Sequence, residues 1–396
     1  MNFNDNSLYN CLVNRDGERY SLFDLAIWKN GLAFKNINFS DYGVPVIKIA
    51  ELNNGIGGTT AYTNQSFPED VHLHKGDLLF SWSGNPDTSI DIYRFQLNEG
   101  WLNQHIFKVT PNEKLIDKDY FYFLMKFLKP IFTKIAKNKQ TTGLGHVTIG
   151  DIKQLNVVIP DMMNQRQIVS VLKPIDDKIT LNNAINCNLE QQAQALFKSW
   201  FVDFEPFGGN MPSHWGKSTL GEVADMSAGG DKPKAISASR TEKNTVPIFS
   251  NGLTDEGLYG FTDKARITEE SVTVSARGTI GYVCLRQEPF VPIVRLVTLV
   301  PHNNVVSSKY LYLWLKNLHI TGTGTTQQQL TVPDFKKTEI LIPDLETVQR
   351  FTEIVNPMYL LLSSNKEENT KLSALRDTLL PKLMTGEIDV SKVNCD

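Results

Sequence analysis

Cysteine is scarce: four residues, Cys11, Cys187, Cys284 and Cys395, are scattered through 396 positions. No CxxC pair occurs, so neither a disulfide framework nor a thiolate zinc site is expected. No apolar run approaches the ~20 residues that span a bilayer. The opening MNFNDNSLYN lacks the basic-then-apolar order of a signal peptide, so a soluble, cytoplasmic chain is expected. No glycine-rich loop follows a strand in a βαβ pattern, which argues against a nucleotide-binding loop. Charge of one sign is also missing, with 40 Lys+Arg against 43 Asp+Glu, a formal net charge of −3. What remains is ample for packed cores: 41% hydrophobic and 10% aromatic residues, in a length that suggests two or three domains.

The chain repeats itself. Residues His146 to Asp161 lie over Gln329 to Asp344 at an offset of 183, sharing Thr148/Thr331, Asp151/Asp334, Lys153/Lys336 and a terminal Ile-Pro-Asp. The offset continues ungapped through Pro174/Pro357, Asn182/Asn365, Asn186/Asn369, Leu189/Leu372 and Leu196/Leu379. Upstream it drifts in one direction, to 190 at Tyr120/Tyr310 and Tyr122/Tyr312, 194 at Ser81/Ser275, and 198 at Leu22/Leu220. Loop changes in one copy of a duplicated unit produce that drift. Short β-branched runs broken by turn residues, plus one helical stretch per copy, predict α+β domains. The predicted order is a domain over 1–160, a helix and linker over 161–210, a domain over 211–343, and a helix with tail over 344–396. The link Phe204 to Gly216 holds two prolines and three glycines, which suits a boundary.

Each helical segment carries a coiled-coil seam. Ile168, Leu172, Ile175, Ile179, Asn182, Asn186, Leu189, Ala193, Leu196 and Trp200 alternate spacings of four and three, as do Phe351 through Leu383, with Arg376 breaking the second seam. Asn182, Asn186, Asn365 and Asn369 sit near mid-helix, where an antiparallel pair would meet. A buried Asn pair there lowers stability while penalising slipped registers; a rim position would leave them idle. Pro174 and Pro357 each remove a backbone donor, so each helix is expected to kink or effectively begin there. From Ile175, about 27 residues at 1.5 Å each give roughly 40 Å, close to the ~34–36 Å repeat of B-DNA major-groove faces.

Three motifs carry a family resemblance: Val157-Val158-Ile159-Pro160 followed by Asn164-Gln165-Arg166-Gln167-Ile168; Leu-Phe-Lys-Ser-Trp-Phe from Leu196 to Phe201; and Leu-Leu-Pro-Lys-Leu-Met-Thr-Gly-Glu-Ile-Asp-Val from Leu379 to Val390. With them the chain resembles a specificity (S) subunit of a type I restriction-modification system over nearly its whole length. Pro343-Asp344-Leu345-Glu346-Thr347-Val348-Gln349 departs from the usual Pro-x-x-Glu-Gln helix start. The resemblance implies two target-recognition domains in tandem, each followed by a long helix, the helices pairing as an antiparallel coiled coil. It also implies that each domain reads half of a split, asymmetric double-stranded DNA target and that the helices dock two adenine-N6 methyltransferase subunits. Those partners use S-adenosylmethionine, this chain binds no cofactor of its own, and a restriction subunit is a further partner the resemblance allows.

A catalytic reading is weaker. Asp161, Asp176, Asp177 and Lys178 imitate the PD…DxK pattern of Mg²⁺-dependent nucleases. However, the last three lie inside the heptads, and their counterparts are Tyr359, Leu360 and Leu361. Gly84-Asn85-Pro86-Asp87 lacks the aromatic that adenine methyltransferases stack on a flipped base. His72 and His74 could offer two metal ligands from one side of a strand, but no Cys or third His is near, so no metal site and no catalytic residue are expected. A coiled-coil adaptor without a DNA role is the remaining alternative.

DNA contact gains support when charge is mapped. The two helical segments hold the acidic excess, while residues 120–150 and 289–333 contain no acid at all. Lys126, Lys129, Lys134, Lys137 and Lys139 in the first window, and Lys309 and Lys316 in the second, are the candidate phosphate contacts. Base readout requires paired donors and acceptors. The candidates are Trp82, Ser83, Asn103, Gln104, His105, Gln140 and His146 in the first copy, and Arg277, Thr279, Arg295, Gln327, Gln328 and Gln329 in the second.

Overall fold

A computed structural model describes residues 7–140, 143–318, 320–321, 329–391 and 393, the side chains of residues 7 and 8 excepted. The chain divides into two compact units, Met1–Leu181 with Glu368–Asp396, and Asn182–Glu367.

In the first unit, four antiparallel strands stand in the order Ala26–Asn30, Ile106–Pro111, Leu78–Ser81, Asp91–Arg94. A second sheet orders Tyr62–Thr63, Val44–Ile47, Glu99–Leu102 and His72–His74, its middle pair parallel. Glu18–Ser21 pairs with Asn156–Ile159. The core joins Leu78, Phe80 and Ile92 of the first sheet to Tyr120, Phe121 and Phe123 of the helix Lys118–Phe127, and it is completed by Ile168, Leu172, Leu383 and Met384.

The second unit repeats this order. Ala224–Ala228, Val297–Pro301, Ser271–Val274 and Val283–Arg286 form the four-stranded sheet. Val246–Phe249 and Val291–Pro292 give the parallel pair, and Gly216–Thr219 pairs with Glu339–Ile342. Phe351, fully buried, meets Phe197, Trp200 and Phe201 at ring-centroid distances of 6.1, 5.8 and 5.0 Å. The link from Phe204 to Gly216 is pinned: Phe207 packs on Trp215 at 4.9 Å, and the Trp215 indole donates to Asp344 at 3.0 Å.

The repeated motifs are local structure signals. Thr148 and Thr331 each accept the amide three residues on, from Asp151 and Asp334, capping a short helix. Each Ile-Pro-Asp is a strand end followed by a cap: Asp161 accepts the amides of Met163 and Asn164, and Asp344 that of Thr347, all at 2.9 Å. These caps correct one expectation. The long helices run Met162–Phe201 and Leu345–Thr385, beginning well before Pro174 and Pro357. A cap and a buried apolar face upstream outweigh one lost donor per helix.

Helix pairing is antiparallel within each unit. In the second, Asn365 Nδ2 donates to Asn186 Oδ1 at 2.9 Å, and Phe197 meets Phe351 as one number rises and the other falls. Asn182 is buried and Asn369 is half-buried. In the first unit, Arg376 donates to Asp176 at 2.9 Å, so the residue that interrupts the apolar seam finds its charge partner on the facing helix. Replacing Phe351 with Ala should cost about 3–5 kcal/mol; urea titration of the two proteins checks it.

Candidate nucleic-acid interface

In the first unit the cluster forms where the strand Leu78–Ser81 ends. Ser83–Gly84 pairs with Gly145–His146, Ser83 opposite His146. Gly145 lets this pair lie against the helix Lys129–Asn138, because a Cβ there would lie 2.4 Å from the Ala136 carbonyl oxygen. Ser83 Oγ and His146 Nδ1 are 2.9 Å apart. Trp82 stacks on Phe107 at 5.7 Å, with His105 and His146 rings 5.7 and 6.0 Å away, and donates its indole N–H to Asn30 Oδ1 at 3.1 Å. Gln104 Nε2 lies 3.1 Å from His105 Nε2. Burial, and then the charge of His146, push the His105 pKa below its ordinary value. Neutral near pH 7, that imidazole offers one donor and one acceptor.

In the second unit the equivalent strand, Ser271–Val274, leads to Arg277, whose Nη2 donates to Gln329 Oε1 at 3.2 Å. Asn251 bridges two segments: its Oδ1 accepts the Ala276 amide at 2.7 Å, and its Nδ2 donates to the Val294 carbonyl at 2.6 Å. Val294 and Arg295 both have positive φ, 53° and 60°, and both are exposed. Such backbone costs of order 1–3 kcal/mol per residue and persists only where neighbours hold it; Asn251 supplies one such hold.

The structure therefore joins Trp82, Ser83, Gln104, His105 and His146, and joins Arg277 with Gln329. Gln140 and Thr279 are exposed; Gln327 and Gln328 lie outside the described residues. Asn103 and Ser83 are corrected: they are 8% and 6% exposed, the Asn103 Oδ1 accepts the His105 amide and the Ser83 hydroxyl meets His146 Nδ1, so they shape the turn and hold the imidazole rather than facing outward. Asn30 and Asn251 were missed. Each precedes a glycine, and an Asn-Gly pair reads from sequence as turn punctuation only.

The lysines need a larger correction. Lys126 and Lys129 hold the buried Asp91 at 3.0 and 2.6 Å, Lys139 holds Asp151 at 2.6 Å, and Lys137 holds Asp87 at 2.6 Å. Burial alone would raise the Asp91 pKa, but the two ammonium groups outweigh it and keep it below the usual carboxylate value. Lys309, 7% exposed, grips Glu270 at 2.6 Å. Lys134 and Lys316 are exposed. The nuclease-like carboxylates are engaged too: Asp161 caps a helix, Asp176 meets Arg376, and Asp177 lies 3.7 Å from Lys173. Lys309→Met should cost roughly 2 kcal/mol, below the full buried-pair cost because Glu270 keeps part of its surface in water. Adding Glu270→Gln should return part of that loss, as denaturant midpoints will report.

The chain matches the family model described as the type I restriction modification DNA specificity domain over residues 14–191 and 212–374. It is 26% identical to the type I restriction enzyme HindI specificity subunit of Haemophilus influenzae, over 80% of this chain and 87% of that one. Against the type I restriction enzyme MjaIX specificity subunit of Methanocaldococcus jannaschii the identity is 23%, over 74% and 73%. A crystal structure of the type I restriction-modification system S subunit from M. genitalium shares the fold, with TM-score 0.55 and 17% identity over 93% of this chain and 96% of that one.

Proposed function

The chain belongs to the type I restriction-modification DNA specificity family, and from that premise we propose that each of its two recognition domains reads one half of a bipartite, asymmetric DNA target. The observation that carries this is one scaffold with two chemistries. The same four-stranded order recurs in both units, and at the end of the equivalent strand stand Trp82, Ser83, His105 and His146 in one and Arg277 with Gln329 in the other. An arginine and a glutamine suit guanine and adenine edges; a histidine held by the buried Ser83, beside an indole, offers a different donor and acceptor pattern. Lys134 and Lys316, exposed, are the lysines whose charge is best placed to meet phosphate.

The long helices, in this reading, set the half-site spacing and dock two adenine methyltransferase subunits, which bring S-adenosylmethionine and the chemistry. Exposed apolar side chains on them support docking: Leu181, Leu360, Leu361 and Leu375 are 54%, 60%, 46% and 48% exposed. No reaction is assigned to this chain, and restriction subunits would join through the same assembly.

Adenine methylation by the complex, mapped across a genome, tests the reading. Arg277→Ala should relax one position of one half-site, losing about 1–3 kcal/mol of discrimination there, and Trp82→Ala with His146→Ala should alter only the other half. Changes in both halves from either variant would refute modular reading. Mg²⁺-dependent cutting by the isolated chain, abolished by Asp177→Ala, would instead favour the nuclease.

A further inference from the structure

On the second sheet of the first unit, the strand His72–His74 places two imidazoles on one face, since alternate residues of a strand share a side. Two ligands alone make no metal site. The fold supplies the third from the turn before the strand, where Glu69 lies with Oε2 3.5 Å from His72 Nδ1 and Oε1 3.9 Å from His74 Nε2. One ligand atom from each of the three residues falls within 4.8 Å of the others. A tetrahedral zinc ion with bonds of ~2.0–2.1 Å sets its ligand atoms roughly 3.4 Å apart. Small rotations of Glu69 and His74, both exposed, close that gap.

His72 is better fixed than a solvated histidine needs to be. Its ring stacks on Trp101 at 4.4 Å, and its backbone carbonyl accepts from Lys108 Nζ at 2.7 Å. Its second nitrogen, Nε2, lies 3.3 Å from Glu99 Oε2. Nε2 is buried and makes no hydrogen bond as it stands; a small rotation of Glu99 would give it the carboxylate partner that orients metal-bound histidines. The geometry points to a site for one divalent transition-metal ion of the zinc class, held by His72 Nδ1, His74 Nε2 and Glu69, with Glu99 as the outer carboxylate. Two imidazoles and one carboxylate select such ions over Mg²⁺ and Ca²⁺, which prefer all-oxygen sets.

The duplicated unit serves as an internal control. There Ile267 bridges Phe290 as Leu73 pairs with Gly100, so Arg266 and Thr268 stand for the two histidines and Pro289 for Glu99. The parallel pairing of Ile248 with Val291 likewise puts valine where Trp101 stands. The second unit keeps a carboxylate, Asp263, at the place of Glu69 but has neither histidine, so one ion per chain is expected.

The competing arrangement is a cluster in which Glu69 and Glu99 contact the two histidines directly and no metal is held. Untagged full-length protein, stripped with chelator and with its thiols blocked, is titrated with Co²⁺ and then with Zn²⁺ in competition. The readouts are visible cobalt absorption and quenching of tryptophan fluorescence, to which Trp101 reports from beside the site. One equivalent should bind and resist excess Mg²⁺. Binding should vanish in His74→Ala and in Glu69→Ala, whose metal-free melting should match the parent, and should weaken about 10–100-fold in Glu99→Gln. His146→Ala, in the other histidine cluster, should bind as the parent does. No saturable uptake by the parent, or equal uptake by His74→Ala, overturns the site.

Discussion

Neither recognition domain closes its core with its own residues. In the unit Asn182–Glu367, the sheet and the helix Ser308–Asn317 leave an apolar face that Phe197, Phe201 and Phe351 of the long helices fill. In the other unit, Ile168, Leu172, Leu383 and Met384 do the same. Each filling takes the end of one long helix and the beginning of the other, which forces an antiparallel arrangement in each unit. Much else follows locally. Tyr312 of the helix Ser308–Asn317 donates to Glu190 of the long helix at 2.7 Å, so the recognition domain is bonded to its helix as well as packed on it. A helix that completes a core cannot slide without opening cavities, and interiors deform poorly.

That constraint explains which features were legible in the sequence. The repeat, the apolar seam and the α+β character rest on local spacing and turn chemistry, and they correspond to strand, cap and buried helix face. The helix starts were misjudged because proline is a local signal while the burial of Ile168 and Phe351 is a tertiary one. Arg376 looked like a defect in one strand of sequence; its meaning lies in Asp176, two hundred residues earlier.

The lysines illustrate the same limit in electrostatics. Windows without acid in the sequence suggested free positive charge, yet Asp91 reaches Lys126 and Lys129 from a neighbouring strand, and Glu270 reaches Lys309 from the strand-leading turn. Charge counted along a chain ignores what a sheet brings sideways. A buried carboxylate needs a cation to offset its desolvation, so lysines conveniently close to a sheet are drawn inward. Of the lysines in those two windows, Lys134 and Lys316 are the exposed ones that lie outside these ion pairs.

What distinguishes the two units is then concentrated where the scaffold stops. Both four-stranded sheets share their order, and their interior residues answer to packing and to buried polar pairs such as Asp91 with Lys126 and Lys129. At the strand ends the constraint lapses: Ser83 faces His146 in one unit, while in the other Arg277 meets Gln329 and Asn251 holds the left-handed Val294–Arg295 turn. Side chains there can change without disturbing the core, and backbone strain at Val294 and Arg295 is tolerable because a rigid sheet and a bridging amide over-determine it. A fold that fixes its helices through buried aromatics and leaves its strand ends unconstrained is suited to keeping one geometry while changing what it reads.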